Sequence, residues 1–199
     1  MKRILFATTN KGKLDEAKAI MGGKGVEVLS LADVAVDVDI VEDGETFEEN
    51  AVKKAVGYAG ASGMPALCDD SGIEIDYLDK RPGVLSARFL GADTPYSYKN
   101  QEIIRMLENA PDDRRTARFV SVIAFCGGDG NVLTARGVIE GEIAKEIRGA
   151  NGFGYDPIFF LKDRGVCMAE LPPEEKNAIS HRGRALRAMY ELLIEKGII

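Results

Sequence analysis

The sequence predicts an α/β protein built on a mixed β-sheet, and three stretches carry that prediction. Ile4-Leu5-Phe6-Ala7 is a buried-strand pattern, followed by the polar run Thr8-Thr9-Asn10-Lys11-Gly12-Lys13 and by Leu14, Ala17, Ile20 and Met21 at helical spacing. That strand–loop–helix order is how a parallel sheet begins. Ala117 to Phe125 is a long, almost continuously apolar strand, as expected where both faces are covered. Gly127-Gly128-Asp129-Gly130-Asn131 then signals a hairpin, with Val132 to Ile139 returning as its partner. The sheet is therefore expected to be parallel near the N-terminus and antiparallel in the middle. A chain of 199 residues suffices for one α/β domain, or for two lobes sharing one sheet.

The remaining elements follow in order. Val26 to Leu29 reads as a second strand, and Val34 to Val41, alternating Val and Asp, as an edge strand or extended loop. Glu42-Asp43-Gly44-Glu45 is an acidic turn, and Thr46-Phe47-Glu48-Glu49 is a capping box that opens a helix. Phe47, Ala51, Ala55 and Tyr58 form the buried stripe of that helix, with Asn50 and Lys54 sharing a face at its edge. Leu67-Cys68-Asp69-Asp70-Ser71-Gly72-Ile73-Glu74-Ile75 reads as strand, acidic turn, strand. A loop region covers Arg81 to Phe89, and a helix marked by Ile103, Ile104 and Leu107 ends near Pro111. Gly149 to Pro157 is a glycine-rich loop with two aromatics, followed by a short strand at Ile158-Phe159-Phe160. The last helix runs from about Ser180 to Lys196, with Leu186, Met189, Tyr190, Leu193 and Ile194 on its apolar face. Ile198 and Ile199 are expected either to pack at an interface or to fray.

Composition narrows the function. A net charge of −6 argues against a nucleic-acid polymer as partner, which needs a basic surface, but leaves room for a small anion held by local Lys and Arg. Three widely spaced cysteines with no CxxC pair suggest buried thiols in a reducing cytosol, with neither a zinc site nor a disulfide framework. Met1-Lys2-Arg3 leads into an apolar run too short for a signal peptide, and no stretch is long enough to span a membrane, so a cytoplasmic protein is expected.

Three groups of residues carry chemistry. The Thr/Asn/Gly loop with Lys11 and Lys13, at a helix N-terminus, offers N–H groups, hydroxyls and positive charge to an anion, although GxxxxGK[ST] is absent. Glu42 and the Asp69-Asp70 pair suit a hard divalent cation or acid–base work, and Asp-Asp-Ser-Gly is also ordinary turn chemistry. Phe153 to Asp156 can stack a flat ring and hydrogen-bond its edge, or Phe153 can anchor its loop in the core. His181 and Arg182 open the last helix against its dipole, which points either to a bound base or phosphate or to a solvent-exposed first turn. Anion, metal and ring together describe a metal–nucleotide.

Taken in sequence, Thr8 to Lys13, Thr46-Phe47-Glu48-Glu49-Asn50-Ala51 with Lys54, and Asp69-Asp70-Ser71-Gly72 resemble motifs of the inosine triphosphate pyrophosphatase family. So do Pro82-Gly83 with Ser86-Ala87-Arg88, Gly152 to Pro157, and Lys176 with Ile179-Ser180-His181-Arg182-Gly183. The resemblance covers essentially the whole chain, and six motifs in order make it specific. It implies a single domain over residues 1–199 with a long twisted mixed sheet flanked by helices, in two lobes with a central active-site cleft. It also implies a Mg²⁺-dependent homodimer that hydrolyses ITP, dITP and XTP to the monophosphate and pyrophosphate, cleansing the nucleotide pool. Carried over by position, Thr8, Thr9, Asn10, Lys11, Gly12 and Lys13 hold the triphosphate, helped by Lys54. Asp70 accepts a proton and, with Glu42, binds metal; Asp43 and Glu45 stand in the same variable turn. Ser71, Phe153, Gly154, Tyr155, Asp156, Lys176, His181 and Arg182 complete the nucleotide site. Thr9 stands where a smaller residue is frequent in the family. Two other readings are a nucleotide-binding sensor without catalysis and a pyrophosphatase of different base specificity.

Overall fold

The computed structural model describes residues 1–199. Strand β1 (Lys2–Phe6) has Ile4, Leu5 and Phe6 fully buried, as a strand covered on both faces requires. Helix α1 (Lys11–Met21) leads to β2 (Val26–Leu29), which pairs parallel with β1 and sets Leu5 opposite Leu29. The helix starts at Lys11 rather than Leu14, because the Asn10 side chain caps it by accepting the Lys13 N–H at 3.2 Å. Lys11 to Lys13 therefore form the first turn of a helix, not the end of a loop.

After β2 a short α2 (Leu31–Val34), capped by Ser30, takes in Val34. The residues from there to Gly44 form no strand, so of the two expectations for Val34 to Val41 it is the loop that holds. Helix α3 (Phe47–Ser62) begins at the predicted Thr46–Glu49 capping box and buries Phe47, Ala51, Ala55 and Tyr58. Asn50 and Lys54 are buried with them.

Strand β3 (Ala66–Ile75) corrects the strand–turn–strand expectation: the chain runs extended straight through Asp69-Asp70-Ser71-Gly72. Turn-forming residues favour turns when their side chains must find partners locally. Here the two carboxylates find partners on neighbouring elements, so the backbone stays in the sheet, with Leu5 opposite Ala66 and Phe6 opposite Leu67 in parallel register.

Helix α4 (Tyr96–Met106) precedes β4 (Thr116–Cys126), which joins β5 (Val132–Ile143) through the predicted hairpin. The Gly127 N–H donates to the Asn131 carbonyl at one end of that pair and the Ile143 N–H to the Arg115 carbonyl at the other, so the pair is antiparallel. Strands β6 (Phe159–Leu161) and β7 (Val166–Cys167) continue antiparallel from β5. The sheet has seven strands in the order β2-β1-β3-β4-β5-β6-β7, mixed as predicted. Two helices end the chain, α5 (Pro173–Ile179), which the sequence reading missed, and α6 (His181–Glu195).

The chain divides into two compact units. The first comprises Met1–Asp70, Ser121–Gly137 and His181–Ile199. Its core packs Ile4, Phe6, Met21, Leu67, Phe125 and Met189, and Ile198 and Ile199 lie against it rather than fraying. The second comprises Ser71–Val120 and Val138–Ser180. Its core holds Ile73, Ile103, Leu107, Tyr155 and the tilted pair Phe119–Phe159, whose centroids are 4.2 Å apart. Each such side chain contributes roughly 1.5–3 kcal/mol by leaving water. Cys68, Cys126 and Cys167 are all free and buried. No helix is long and apolar enough to cross a membrane.

Candidate active site

In the first unit the charged residues singled out by the sequence converge. Lys13 sits on the first turn of α1, just past the carboxyl end of β1, where open α/β sheets place ligands. Its Nζ lies 2.9 Å from Asp69 Oδ1. The other oxygen of Asp69 takes the Arg182 Nε at 3.1 Å, and an Arg182 Nη reaches Glu16 at 2.6 Å. Arg182 arrives there because α6 begins hard against β5. A Cβ on Gly137 would stand 2.0 Å from the His181 carbonyl oxygen, so only glycine permits that approach. His181 and Arg182 are both buried, which removes the solvent-exposed reading of this helix start. For Arg182, Asp69 and Glu16 offset the unfavourable end of the helix dipole.

Lys54 links the second half of the cluster. Its Nζ donates to the Asp69 backbone carbonyl at 2.6 Å and lies 3.2 Å from Glu42 and 3.8 Å from Asp70. Asn50 Nδ2 donates to Asp70 Oδ2 at 3.2 Å. The two adjacent carboxylates are thereby driven apart. Burial alone would raise Asp69, but Lys13, Arg182 and Lys54 outweigh it and hold its carboxyl well below the usual range. For Asp70, burial dominates. Lys54 opposes it, the Glu42 charge adds to it, and the carboxyl is pushed up to about 6. Burial lowers Lys54, yet Asp69, Asp70 and Glu42 together raise it, so it stays an ammonium. The two neighbours are thus held in opposed environments: Asp69 is a fixed counter-ion, and Asp70 is a carboxyl that exchanges its proton near neutrality.

No group of three His, Cys, Asp or Glu side chains converges on one point as a ready-made metal cage. Two carboxylates, Glu42 and Asp70, converge on Lys54 instead. That donor set is hard, anionic and incomplete, which suits a cation that takes its remaining ligands from phosphate and water. Thr8, Thr9 and Asn10 lie at the end of β1, where the Thr8 hydroxyl accepts the Asn10 N–H at 3.1 Å.

The second unit gathers another predicted set. Asp156, 3% exposed, accepts the Phe153 N–H at 2.9 Å and the Lys176 ammonium at 2.7 Å. The same ammonium lies 4.2 Å from the centroid of the Phe153 ring. Lys176 comes from α5, whose first turn is set by Pro173. Tyr155 is the core anchor of this loop: its hydroxyl donates to the Ser86 carbonyl at 2.7 Å and its ring meets Tyr96 edge-on. Phe153 is half-buried and outside the core cluster that holds Tyr155. Asn100 donates to the Gly154 carbonyl at 3.1 Å. Ser71 lies half-buried in β3.

Sequence reasoning missed Glu16 and Asn100, and named Ser86 only within a family motif, without a role. Glu16 left a signal, a charge next to the apolar Ala17 and one turn after Lys13 on the same helix. Asn100 left none, since its partner is a backbone group distant in the chain, and the role of Ser86 was hidden for the same reason: its hydroxyl, which donates to the nearby Gly83 carbonyl, accepts the Ile73 N–H.

The sequence profile described as the Ham1 family matches residues 4–192. Among curated relatives, the dITP/XTP pyrophosphatase of Geobacter sulfurreducens is 48% identical, covering 100% of each chain. That of Bacillus subtilis is 44% identical, covering 97% of this chain and 98% of its own. Of solved structures, a HAM1 protein from Coxiella burnetii superposes with a TM-score of 0.88 at 43% identity, covering 98% of this chain and 100% of the other. The Staphylococcus aureus Ham1 protein gives 0.87 at 36% identity with the same coverage. By profile, by full-length identity and by fold, the chain belongs to the Ham1 family.

Proposed function

We propose that this protein hydrolyses the triphosphates of deaminated purines, ITP, dITP and XTP, to the nucleoside monophosphate and pyrophosphate. The observation that carries the proposal is the buried cluster in which Lys13 and Arg182 pair with Asp69 while Lys54 stands between Glu42 and Asp70, so that ammonium groups for phosphates lie beside carboxylates for a cation. In it Asp69 is locked as an anion and Asp70 is poised to take a proton. The full-length relatives named dITP/XTP pyrophosphatases support the substrate class. Glu42 and Asp70 would hold a Mg²⁺ ion, which when bound supplies counter-charge to the phosphates.

The chain's own residues do the rest. Asp70 accepts a proton from the attacking water at its carboxylate, which is ionised above about pH 6. Lys13 and Lys54 present ammonium groups to the triphosphate, and Asp69 keeps both oriented through its side chain and its carbonyl. The Thr8–Gly12 segment presents hydroxyls and the amide end of α1 to phosphate oxygens. In the second unit Phe153 is the proposed stacking surface, with Lys176 and Asp156 fixing its backbone. Ser71 and Gly154 belong to the same proposed substrate contacts, while Tyr155 anchors the loop of Gly154 in the core. His181 and Arg182 are the proposed donors to the purine 6-carbonyl. A site built to donate there discriminates against the 6-amino group of adenosine, which leaves its donors unpaired.

The experiment is pyrophosphate release, resolved from orthophosphate, with Mg²⁺ and ITP, XTP, dITP, GTP, ATP and CTP. Preference for the first three with pyrophosphate as product supports the proposal. Flat selectivity removes the pool-cleansing role, and binding without turnover makes the protein a sensor. The proposal includes a cytoplasmic homodimer, for which light scattering of the purified chain is the check on assembly.

A further inference from the structure

We infer that Asn50 is a positioning residue that clamps the turn carrying Glu42 to the Asp70 carboxylate and so sets the divalent-cation site. The inference rests on the proposed reading of Glu42 and Asp70 as cation ligands. Asn50 is fully buried in α3, beside the apolar stripe formed by Phe47 and Ala51. A buried amide is retained at such a position only if both of its ends are satisfied. Its Oδ1 accepts the Gly44 N–H at 2.8 Å, and its Nδ2 donates to Asp70 Oδ2 at 3.2 Å, with the Gly44 carbonyl 3.5 Å away.

The two partners demand opposite chemistry. A backbone N–H needs an acceptor and a carboxylate needs a donor, and a primary amide presents both on one rigid group. Aspartate would keep the first bond and set a third anion beside Glu42 and Asp70, and leucine would keep neither. The approach is close enough to dictate the turn residue. A Cβ on Gly44 would stand 2.7 Å from Asn50 Oδ1 and 2.9 Å from Glu49 Cβ.

The turn has other moorings that do not involve Asp70. Glu49 accepts the N–H groups of Glu45 and Thr46 at 2.7 and 3.2 Å, and Lys53 pairs with Asp43. Removing Asn50 therefore leaves the helix start capped and removes the amide link between the turn and Asp70, with the Lys54 ammonium still standing between Glu42 and Asp70. What Asn50 adds is registry between the two carboxylates.

The test uses the full chain with Asn50→Ala. Mn²⁺ is titrated into nucleotide-free protein by electron paramagnetic resonance, exchange of the Gly44 amide is followed by NMR, and kcat and KM are measured for ITP. The expected result is Mn²⁺ affinity about 10–100-fold weaker and lower kcat, the range found when partners of metal ligands are removed. Gly44 exchange rises, and nucleotide affinity measured in EDTA stays within about twofold of the parent. Faster Gly44 exchange with Mn²⁺ affinity within about twofold of the parent overturns the inference, because the clamp would then serve packing alone. If Asn50→Ala does not fold, Gly44→Ala breaks the same clamp from the turn side and is held to the same outcomes. A parent that binds no Mn²⁺ also overturns the inference. A parent that binds Mn²⁺ yet releases no pyrophosphate removes the proposed reaction and leaves the Asn50 comparison intact.

Discussion

Replacing Asp69 and Asp70 in turn by Asn should move stability in opposite directions, although the two residues are adjacent, both buried and both acidic. Asp69 is the common counter-ion of Lys13 and Arg182. Neutralising it leaves those two cations facing each other with one anion fewer, and breaking a buried pair by removing one partner costs about 3–5 kcal/mol. Because Arg182 keeps Glu16, the lower end of that range applies to Asp69→Asn. Asp70 is the reverse case. Its folded pKa of about 6 lies above the ordinary aspartate value of about 4, so the folded state binds more protons than the unfolded state between the two. Stability from the protonated form is fully present below about pH 4 and is lost as pH rises through about 6. Above that, the ionised carboxylate costs roughly 3 kcal/mol at 1.36 kcal/mol per pH unit, which Asp70→Asn should recover in part. The assay is urea denaturation in EDTA at pH 7.5, repeated at about pH 4, where the Asp70→Asn advantage should vanish. Equal destabilisation by the two substitutions would falsify the division of roles between them.

Three other substitutions extend the account. Lys176→Met removes the ammonium that answers the buried Asp156 carboxylate, and should lower stability by about 3–5 kcal/mol in urea denaturation while raising KM for ITP. An unchanged urea midpoint would show that the pair is not a buried one in solution. Burial pushes the Cys68 thiol up to about 12, against an ordinary value of about 8.5. Its contribution is therefore whole below about pH 8.5 and lost as pH rises toward 12, and Cys68→Ala should flatten the fall in urea midpoint between about pH 8 and 10. Arg182→Ala should narrow the preference for ITP over ATP by about tenfold or more in kcat/KM, and a variant that kept its full preference would place the base donor elsewhere.

The parts of the fold set by local chemistry were legible in the sequence. Thr46 and Glu49 form their capping box from residues in one helical turn, and Gly127 to Asn131 form their hairpin from local backbone bonds and the Asp129 side chain, which accepts the Asn131 N–H. What could not be read was set by partners distant in the chain. Asp69-Asp70-Ser71-Gly72 has turn composition, yet it stays extended because Lys13, Arg182, Lys54 and Asn50 supply the partners. The identities of the charged site residues were visible as motifs, but the divergence of Asp69 from Asp70 was not, because it depends on which cation faces which carboxylate. Asn50 shows the same limit: its place beside Lys54 on one helical face could be read, but its two bonds could not.

The central claim is that water activated by Asp70 attacks the α-phosphorus and expels pyrophosphate. Its most direct test is ITP hydrolysis in oxygen-18-labelled water with Mg²⁺, with products read by mass spectrometry, for the parent and for Asp70→Asn. The account predicts label in the monophosphate alone, unlabelled pyrophosphate, and near-complete loss of turnover in a variant that still binds ITP. Label in pyrophosphate, release of orthophosphate, or retained turnover in Asp70→Asn would contradict it.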